Sequence, residues 1–221
     1  MLIKQMDKQG KENIQSRRTI AKERIIRTLL NNPEGNVTKY RLSILSESPW
    51  ATTHRILRDL QIAGMVRGTQ VIKYKEMINL WAGWKVKTSY REYLVREPLQ
   101  ILKSQNNERL KYALTTYQAE NLVQNYLFPS RIDLYILPKG MAKWHKILLN
   151  EGALVGRGNV RILPAYDDHV FYNSQALEGL ELVSIPQLIV DLLREGGVGV
   201  EAANNLLEKA VNGDLIRRLR D

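Results

Sequence analysis

The sequence predicts an α+β protein in two parts: a helical N-terminal module closed by a β-hairpin, followed by a mixed α/β C-terminal domain. Three observations predict it. Residues 1–75 hold 15 Lys/Arg against 6 Asp/Glu, a net of +9, whereas residues 76–221 hold 18 against 17, a net of +1. Over residues 19–75, apolar positions recur at helical spacing in three blocks and then switch to a short hairpin pattern around Gly68. Beyond residue 111, short β-rich runs alternate with helical patterns, as in a sheet flanked by helices.

The bulk numbers bound the rest. A chain of 221 residues suits one large domain or two small ones, and 44% hydrophobic content is enough for a buried core. No apolar run approaches the roughly 20 residues that cross a bilayer. The opening Met1-Leu2-Ile3-Lys4-Gln5-Met6-Asp7-Lys8 has no continuous apolar stretch to act as a secretory signal. Zero cysteines exclude a disulfide framework, a thiolate nucleophile and a cysteine zinc site. A soluble cytoplasmic protein with no membrane partner is expected. The uneven charge points to a polyanion, because each neutralised phosphate releases condensed counterions. A surplus that serves only solubility is the alternative.

Residues 1–18 are polar and read as a flexible basic arm. Residues 19–75 follow as one domain. Thr19 is placed to cap a helix with Ile20, Ile25, Ile26, Leu29 and Leu30 on its apolar side. The run Asn31-Asn32-Pro33-Glu34-Gly35-Asn36 stops it. Thr38 caps a second helix whose expected buried side is Tyr40, Leu42 and Leu45. Ser48 then reads as an N-cap and Pro49 as the first residue of a third helix, which ends near Ala63 with Gly64 at C′. At 100° per residue, Thr53, Ile56, Leu57 and Leu60 share one side, with Trp50 at its edge. Ala51, Thr52, Arg55 and Arg58 face the other way, with Asp59 beside them. Arg67-Gly68-Thr69-Gln70 reads as a tight turn between strands Met65–Arg67 and Val71–Tyr74.

This order is that of a winged helix-turn-helix, and the free face of its third helix suits the major groove. Arginine forks onto guanine edges or phosphates there, and an alanine methyl meets thymine methyls. The expected DNA contacts are Ser48, Ala51, Thr52, His54, Arg55, Arg58, Arg67, Thr69, Gln70 and Lys73, with double-stranded DNA as the partner. The run Thr53-His54-Arg55-Ile56-Leu57-Arg58-Asp59-Leu60 with Ala63-Gly64-Met65-Val66 resembles recognition helices of bacterial and archaeal transcription regulators.

Residues 76–111 read as a connector, with Met77, Leu80, Trp81 and Trp84 striping a helix over Tyr74–Trp84. A strand over Tyr90–Arg96 and a short helix over Leu99–Lys103 follow. In residues 112–221 the expected strands are Tyr112–Thr115, Arg131–Leu137, Ala153–Val155 and Val160–Leu163. The expected helices are Gln118–Tyr126, Met141–Glu151, Ile185–Arg194 after a Ser184 cap, and Val200–Val211.

Within this part Ala113-Leu114-Thr115-Thr116-Tyr117-Gln118-Ala119 resembles the "ALTG-x-x-A" opening of the second domain in AbiEi-type antitoxins of type IV toxin–antitoxin systems. Asp133-Leu134-Tyr135-Ile136, then Val160-Arg161-Ile162-Leu163-Pro164-Ala165-Tyr166-Asp167, then Val183-Ser184-Ile185-Pro186-Gln187-Leu188-Ile189-Val190-Asp191-Leu192-Leu193 match the family in order. The Trp81-Ala82 connector fits its layout. Thr116 departs from it, standing where family members usually carry glycine, so a different backbone is expected there. The resemblance implies an autorepressor with a cognate toxin of nucleotidyltransferase type.

Catalytic chemistry finds little support in the sequence, and a non-enzyme with no cofactor and no metal is expected. Two-metal phosphoryl transfer needs clustered carboxylates, but Asp133 is followed by Tyr135 rather than a second carboxylate and reads as a single acid on an exposed strand face. Asp167-Asp168-His169 reads as solvated loop residues, and His54 and His145 add no ligand spacing. Gly196-Gly197-Val198-Gly199 lacks the phosphate-loop pattern and reads as a turn between the last two helices. Arg217-Arg218-Leu219-Arg220 reads as a small basic tail.

Two functions stay open at this stage. The first is a sequence-specific DNA-binding regulator, an autorepressing antitoxin-like protein acting as a homodimer if its site is an inverted repeat. The second is a protein-interaction module whose winged helix docks a protein and whose second domain binds a toxin or other partner.

Overall fold

The structure, a computed structural model, describes residues 19–84, 86, 89–105 and 110–212. The expected arm at residues 1–18 and the basic tail after residue 212 lie outside these. The chain divides into two compact units, Met1–Trp84 and Lys85–Asp221. It is a mixed α+β protein, with a two-stranded and a seven-stranded sheet among the described residues.

The first unit runs α1 (residues 19–30), α2 (Lys39–Leu45), α3 (Trp50–Ile62), β1 (Val66–Arg67), β2 (Gln70–Val71) and α4 (Tyr74–Ala82). Thr19 is already helical rather than capping. Thr38 does cap α2, its side chain accepting from the Arg41 N–H. On α2 the buried positions are Leu42 and Ser43, while Tyr40, expected inside, is 67% exposed and Leu45 is half-buried. A helix of only seven residues turns a narrow side inward, so Tyr40 falls outside it. The core is Ile25, Ile26, Leu29, Leu30, Leu42, Ile56, Leu57, Leu60, Met77, Ile78 and Trp81.

The expected connector is not a separate element. Its helical part, α4, buries Met77, Ile78 and Trp81 in the first unit, and the Arg27 guanidinium stacks 4.9 Å from the Trp81 ring. Ile78 takes the buried place expected of Leu80. The rest of the connector joins the second unit, where β3 (Arg91–Leu94) is a sheet strand and α5 (Pro98–Gln105) a helix.

The second unit continues β4 (Tyr112–Thr115), α6 (Thr116–Gln124), β5 (Ile132–Ile136), α7 (Met141–Asn150), β6 (Leu154–Val155), β7 (Val160–Pro164), β8 (Gln175–Leu177), β9 (Leu180–Leu182), α8 (Ile185–Glu195) and α9 (Val198–Val211). The sheet order is β6-β3-β7-β5-β4-β9-β8. The pairs β5/β7 and β4/β9 are parallel and the others antiparallel. Side chains alternate across a strand, and the two faces differ in chemistry. Leu134, Val160 and Ile162 meet Pro98 and Leu102 of α5 and Trp144 and Leu148 of α7. On the opposite face, Thr115 and Tyr135 reach Asp191 of α8. The register sets Thr115 against Asp133 and Asp133 against Arg161, so three polar side chains stand in a row across β4, β5 and β7.

The β8/β9 hairpin is absent from the sequence-based reading. Its turn, Glu178-Gly179, takes positive φ at both residues (52° and 76°), the two-residue geometry that matches strand twist. Gly196 and Gly197, also at positive φ, form the turn between α8 and α9.

Gly158 lies against the β3 backbone, where a Cβ would overlap the Tyr93 carbonyl group. Gly158→Ala is expected to push β3 away from β7 and to destabilise the protein by about 1–3 kcal/mol. Thermal denaturation followed by circular dichroism measures it, and an unchanged melting temperature would contradict the close approach.

Candidate nucleic-acid interface and a buried ion cluster

The amphipathic pattern of α3 sets which side chains reach solvent. Thr53, Ile56, Leu57 and Leu60 are buried, while Ala51, His54, Arg55, Arg58 and Asp59 are exposed and Thr52 is half-buried. Arg55 and Arg58 stand one turn apart. Neither makes a hydrogen bond or ion pair with any described residue, so both guanidinium groups present all their donors outward. His54 packs its ring 5.9 Å from that of Trp50, which is itself half exposed. The helix ends in a Schellman motif: Met65 N–H donates to the Leu60 carbonyl and Gly64 N–H to that of Gln61, with Gly64 at φ 66°. That closure leads straight into β1.

The hairpin turns at Gly68-Thr69 with positive φ only at Gly68, the pattern of a II′ turn. Arg67, Gln70 and Lys73 are exposed. Thr69 is not. Its side chain is buried and donates to the Val37 carbonyl at 2.6 Å, with the Gly35 carbonyl at 3.2 Å, while Val71 N–H donates to the Pro33 carbonyl. Thr69 therefore fastens the hairpin to the loop between α1 and α2 and is withdrawn from the expected contact set. Ser48 is also withdrawn. It is buried, its hydroxyl donates to the Ser46 carbonyl at 3.0 Å, and the N-cap position of α3 falls to Pro49 with no side-chain cap.

Not every basic residue of this unit is available to a polyanion. Arg24 pairs with Glu47 at 2.9 Å, and Arg27 is fully buried beside Glu23 at 3.8 Å. The exposed cations that remain include Lys39, Arg41, Arg55, Arg58, Arg67, Lys73 and Lys75.

In the second unit the structure overturns the reading of Asp133. It is 0% exposed, because its strand face is covered rather than free. Arg131 donates to it from Nε (2.7 Å) and Nη2 (3.0 Å), and Arg161 donates from Nε and Nη2, both at 2.9 Å. Both arginines also donate to Glu195 at the end of α8, at 2.6 and 2.7 Å. Two cations and two anions thus close a ring. Arg131 stacks on Tyr117 and Arg161 on Tyr90. The Thr116 hydroxyl adds a further hydrogen bond to Asp133 at 2.5 Å. Thr116 has φ 50°, in the left-handed region that glycine favours.

Ionisation follows from these contacts. Hydrogen bonds to Asp133 and Glu195 raise the Arg131 pKa above its ordinary value. Burial pulls Arg161 down, but its bonds to the same two carboxylates outweigh this and leave it raised. Burial pushes Glu195 up, and the bonds from Arg161 and Arg131 reverse it, holding the carboxyl below its usual range. A second polar group lies beside the ring. Asp191 accepts from Thr115 (2.7 Å), Gln187 (2.8 Å) and Tyr135 (3.3 Å), and burial with the Asp191 charge holds the Tyr135 hydroxyl well above its ordinary pKa.

Asp167 and His169, expected in a solvated loop, are buried: Asp167 caps a one-turn helix over Asp168–Phe171 that holds His169. His169 stacks on Tyr172 at 4.8 Å, and Asp167 accepts from the His169 N–H. The third histidine, His145, meets the Tyr93 hydroxyl at 3.0 Å. No grouping of three metal-ligating side chains occurs among the described residues, and none of their helices is long and apolar enough to cross a membrane. Comparison of the chain with protein-family models, curated proteins and solved structures finds no match.

Asp133→Asn leaves two arginines facing one remaining carboxylate and is expected to cost about 3–5 kcal/mol, readable by urea denaturation. Glu195 has a folded pKa below its unfolded value. Its contribution is therefore full above about pH 4.5 and is lost as pH falls through the folded pKa. Glu195→Gln should flatten stability against pH on that acid side while lowering it at pH 7. An unchanged acid limb would show that Glu195 does not carry this dependence.

Proposed function

We propose that this chain is a sequence-specific DNA-binding regulator of transcription whose first unit works as a winged helix-turn-helix. The observation that carries the reading is the outer face of α3, where Arg55 and Arg58 present unpaired guanidinium groups one turn apart with Ala51 and Thr52 beside them. Side chains of that kind on a helix of 13 residues match the donor and methyl pattern of the major groove. The hairpin that follows offers Arg67, Gln70 and Lys73 to the flanking backbone, where cations position rather than specify.

The autorepressing, antitoxin-like part of the proposal rests on the ordered resemblance in the second unit. It is supported by where those runs lie: on β4, β5 and β7, which are sheet neighbours, and on α8. A nucleotidyltransferase-type toxin is the partner it implies, and two copies on an inverted repeat the assembly. The proposal assigns no catalysis to either unit.

A second reading, docking of a protein by the first unit, is favoured by one observation. Tyr40 and Ile44 of α2, Trp50 and Ile62 of α3, and Ile72 are all exposed. Charge reversal of Arg55 and Arg58 separates the two, since DNA binding is abolished and apolar docking is not.

The deciding experiment titrates the full chain against its own upstream DNA and a scrambled duplex across a range of salt. A preference for the upstream segment is expected, with affinity falling as salt rises by about 0.9 log units per log unit of salt for each phosphate neutralised. Arg55→Ala should weaken the preferred site by about 1–3 kcal/mol if it reads a base edge, and all duplexes alike if it holds a phosphate. Equal or absent binding to both duplexes would sink the regulator reading.

A further inference from the structure

The loop between α6 and β5 carries Phe128, whose side chain is 98% exposed. A single apolar side chain in water is ordinary. A loop built to hold it there is not. Glu120 of α6 is fully buried, and its carboxylate accepts from the Leu127 N–H at 2.8 Å and the Tyr126 N–H at 3.3 Å. Asn121 donates to the Leu127 carbonyl at 2.8 Å and to the Asn125 side chain at 2.9 Å. Asn125 turns the chain with φ 55°, and the Tyr126 hydroxyl donates to Glu201 of α9 at 2.5 Å. Pro129 restricts Phe128 from the other side, since a residue before proline is held to extended backbone.

From Phe128 the chain steps straight into the wall of a cleft of about 380 Å³, room enough for one phenylalanine side chain. Pro129 is one wall, and Pro98, Leu99 and Ile132 are others. Pro98, Leu99 and Pro129 are half-buried, so part of their apolar surface stays in contact with water. Glu97, Gln100 and Arg131 add the polar groups that protein interfaces carry around an apolar centre. An apolar knob and a partly apolar hole therefore stand one residue apart on the same chain. A two-fold axis set midway between them carries each onto the other in a second copy, which is the requirement of an isologous interface.

We propose that two copies of this chain associate through this surface, Phe128 of each entering the cleft beside Leu99 and Pro129 of the other. The regulator reading asks for two copies and names no surface that joins them, whereas this contact forms without DNA. Because the loop is already fixed, little conformational freedom is lost when Phe128 docks. The area sets the strength. Each phenylalanine buries about 150–250 Å², and the walls that enclose it bury a comparable area. The two symmetric contacts thus reach only the low end of specific interfaces, under about 1,200 Å² in total. The dimer is weak and reversible, with a Kd of about 1–100 µM.

The test is sedimentation equilibrium of the full chain without DNA, from about 1 to 500 µM, a range that brackets this Kd. Monomer at the low end and dimer at the high end are expected. Phe128→Asp should raise the Kd at least about tenfold, with the melting temperature unchanged because the ring lies outside the core. Leu99→Asp should weaken the dimer equally from the cleft side, and an acid is tolerated there in the first turn of α5. Leu99→Ser stands in where the aspartate variant does not fold. Monomer at every concentration would overturn the proposal, as would a dimer that survives in folded Phe128→Asp. Loss of the dimer in Phe128→Asp with full retention in the folded Leu99 variant would overturn it too, since Phe128 would then dock outside the cleft. DNA is absent throughout, so each of these failures leaves the regulator reading standing.

Discussion

Asp133 holds a carboxylate at the centre of a seven-stranded sheet, where solvent cannot reach it. A charge in that position is tolerated only when its lone pairs are all engaged by groups that do not move away. Two arginine forks and a threonine hydroxyl do this. The forks come from different strands, and both are in turn held by Glu195 at the end of a helix. Much of the second unit depends on that arrangement. The register of β5 against β7 must put Arg161 opposite Asp133, α6 must begin at a left-handed residue for its hydroxyl to arrive, and α8 must end where Glu195 can reach both arginines. A one-residue slip of either strand would turn these groups to the apolar face beneath α5 and α7.

The first unit is organised differently, around apolar packing with polar fasteners at its edges. Its hairpin is too short to persist alone. Thr69 and Val71 tie it to the loop between α1 and α2, and the carbonyls of Met65 and Leu60 join it to the end of α3. The exposed arginines of α3 thereby stand on a rigid helix, while the two arginines of α1 are spent internally on Glu47, Glu23 and Trp81. Net charge alone would count all four alike.

The sequence made regular features legible and concealed those that depend on partners distant in the chain. The buried stripe of α3, the Gly64 closure, Thr38 as a cap and the strand Tyr112–Thr115 follow from periodicity and local chemistry. Thr69 and Ser48 look like surface hydroxyls by composition, and only the approach of the loop at residues 33–37 and the turn at Ser46 reveal them as internal donors. Asp133 reads as exposed because its neutralising partner Arg161 lies 28 positions away. The β8/β9 hairpin did carry a signal, the alternation Leu177, Leu180, Leu182 around Glu178-Gly179, which is shorter than the usual strand criteria detect.

The ring of charges also fixes a sequence of events during synthesis. A chain is made from its N-terminus at about 5–20 residues per second. When Arg131 and Asp133 have emerged, Arg161 has not, and Glu195 follows only after a further 34 residues. Strand β4 waits as well, because β9 on its other edge belongs to the same late segment. The second unit therefore remains an open, partly charged sheet until nearly all of it has left the ribosome, whereas the first unit holds every element it needs by Trp84. A nascent chain passes through a stage at which its first unit can be folded and its second cannot, and for those seconds β4 and β5 expose edges that the finished protein covers.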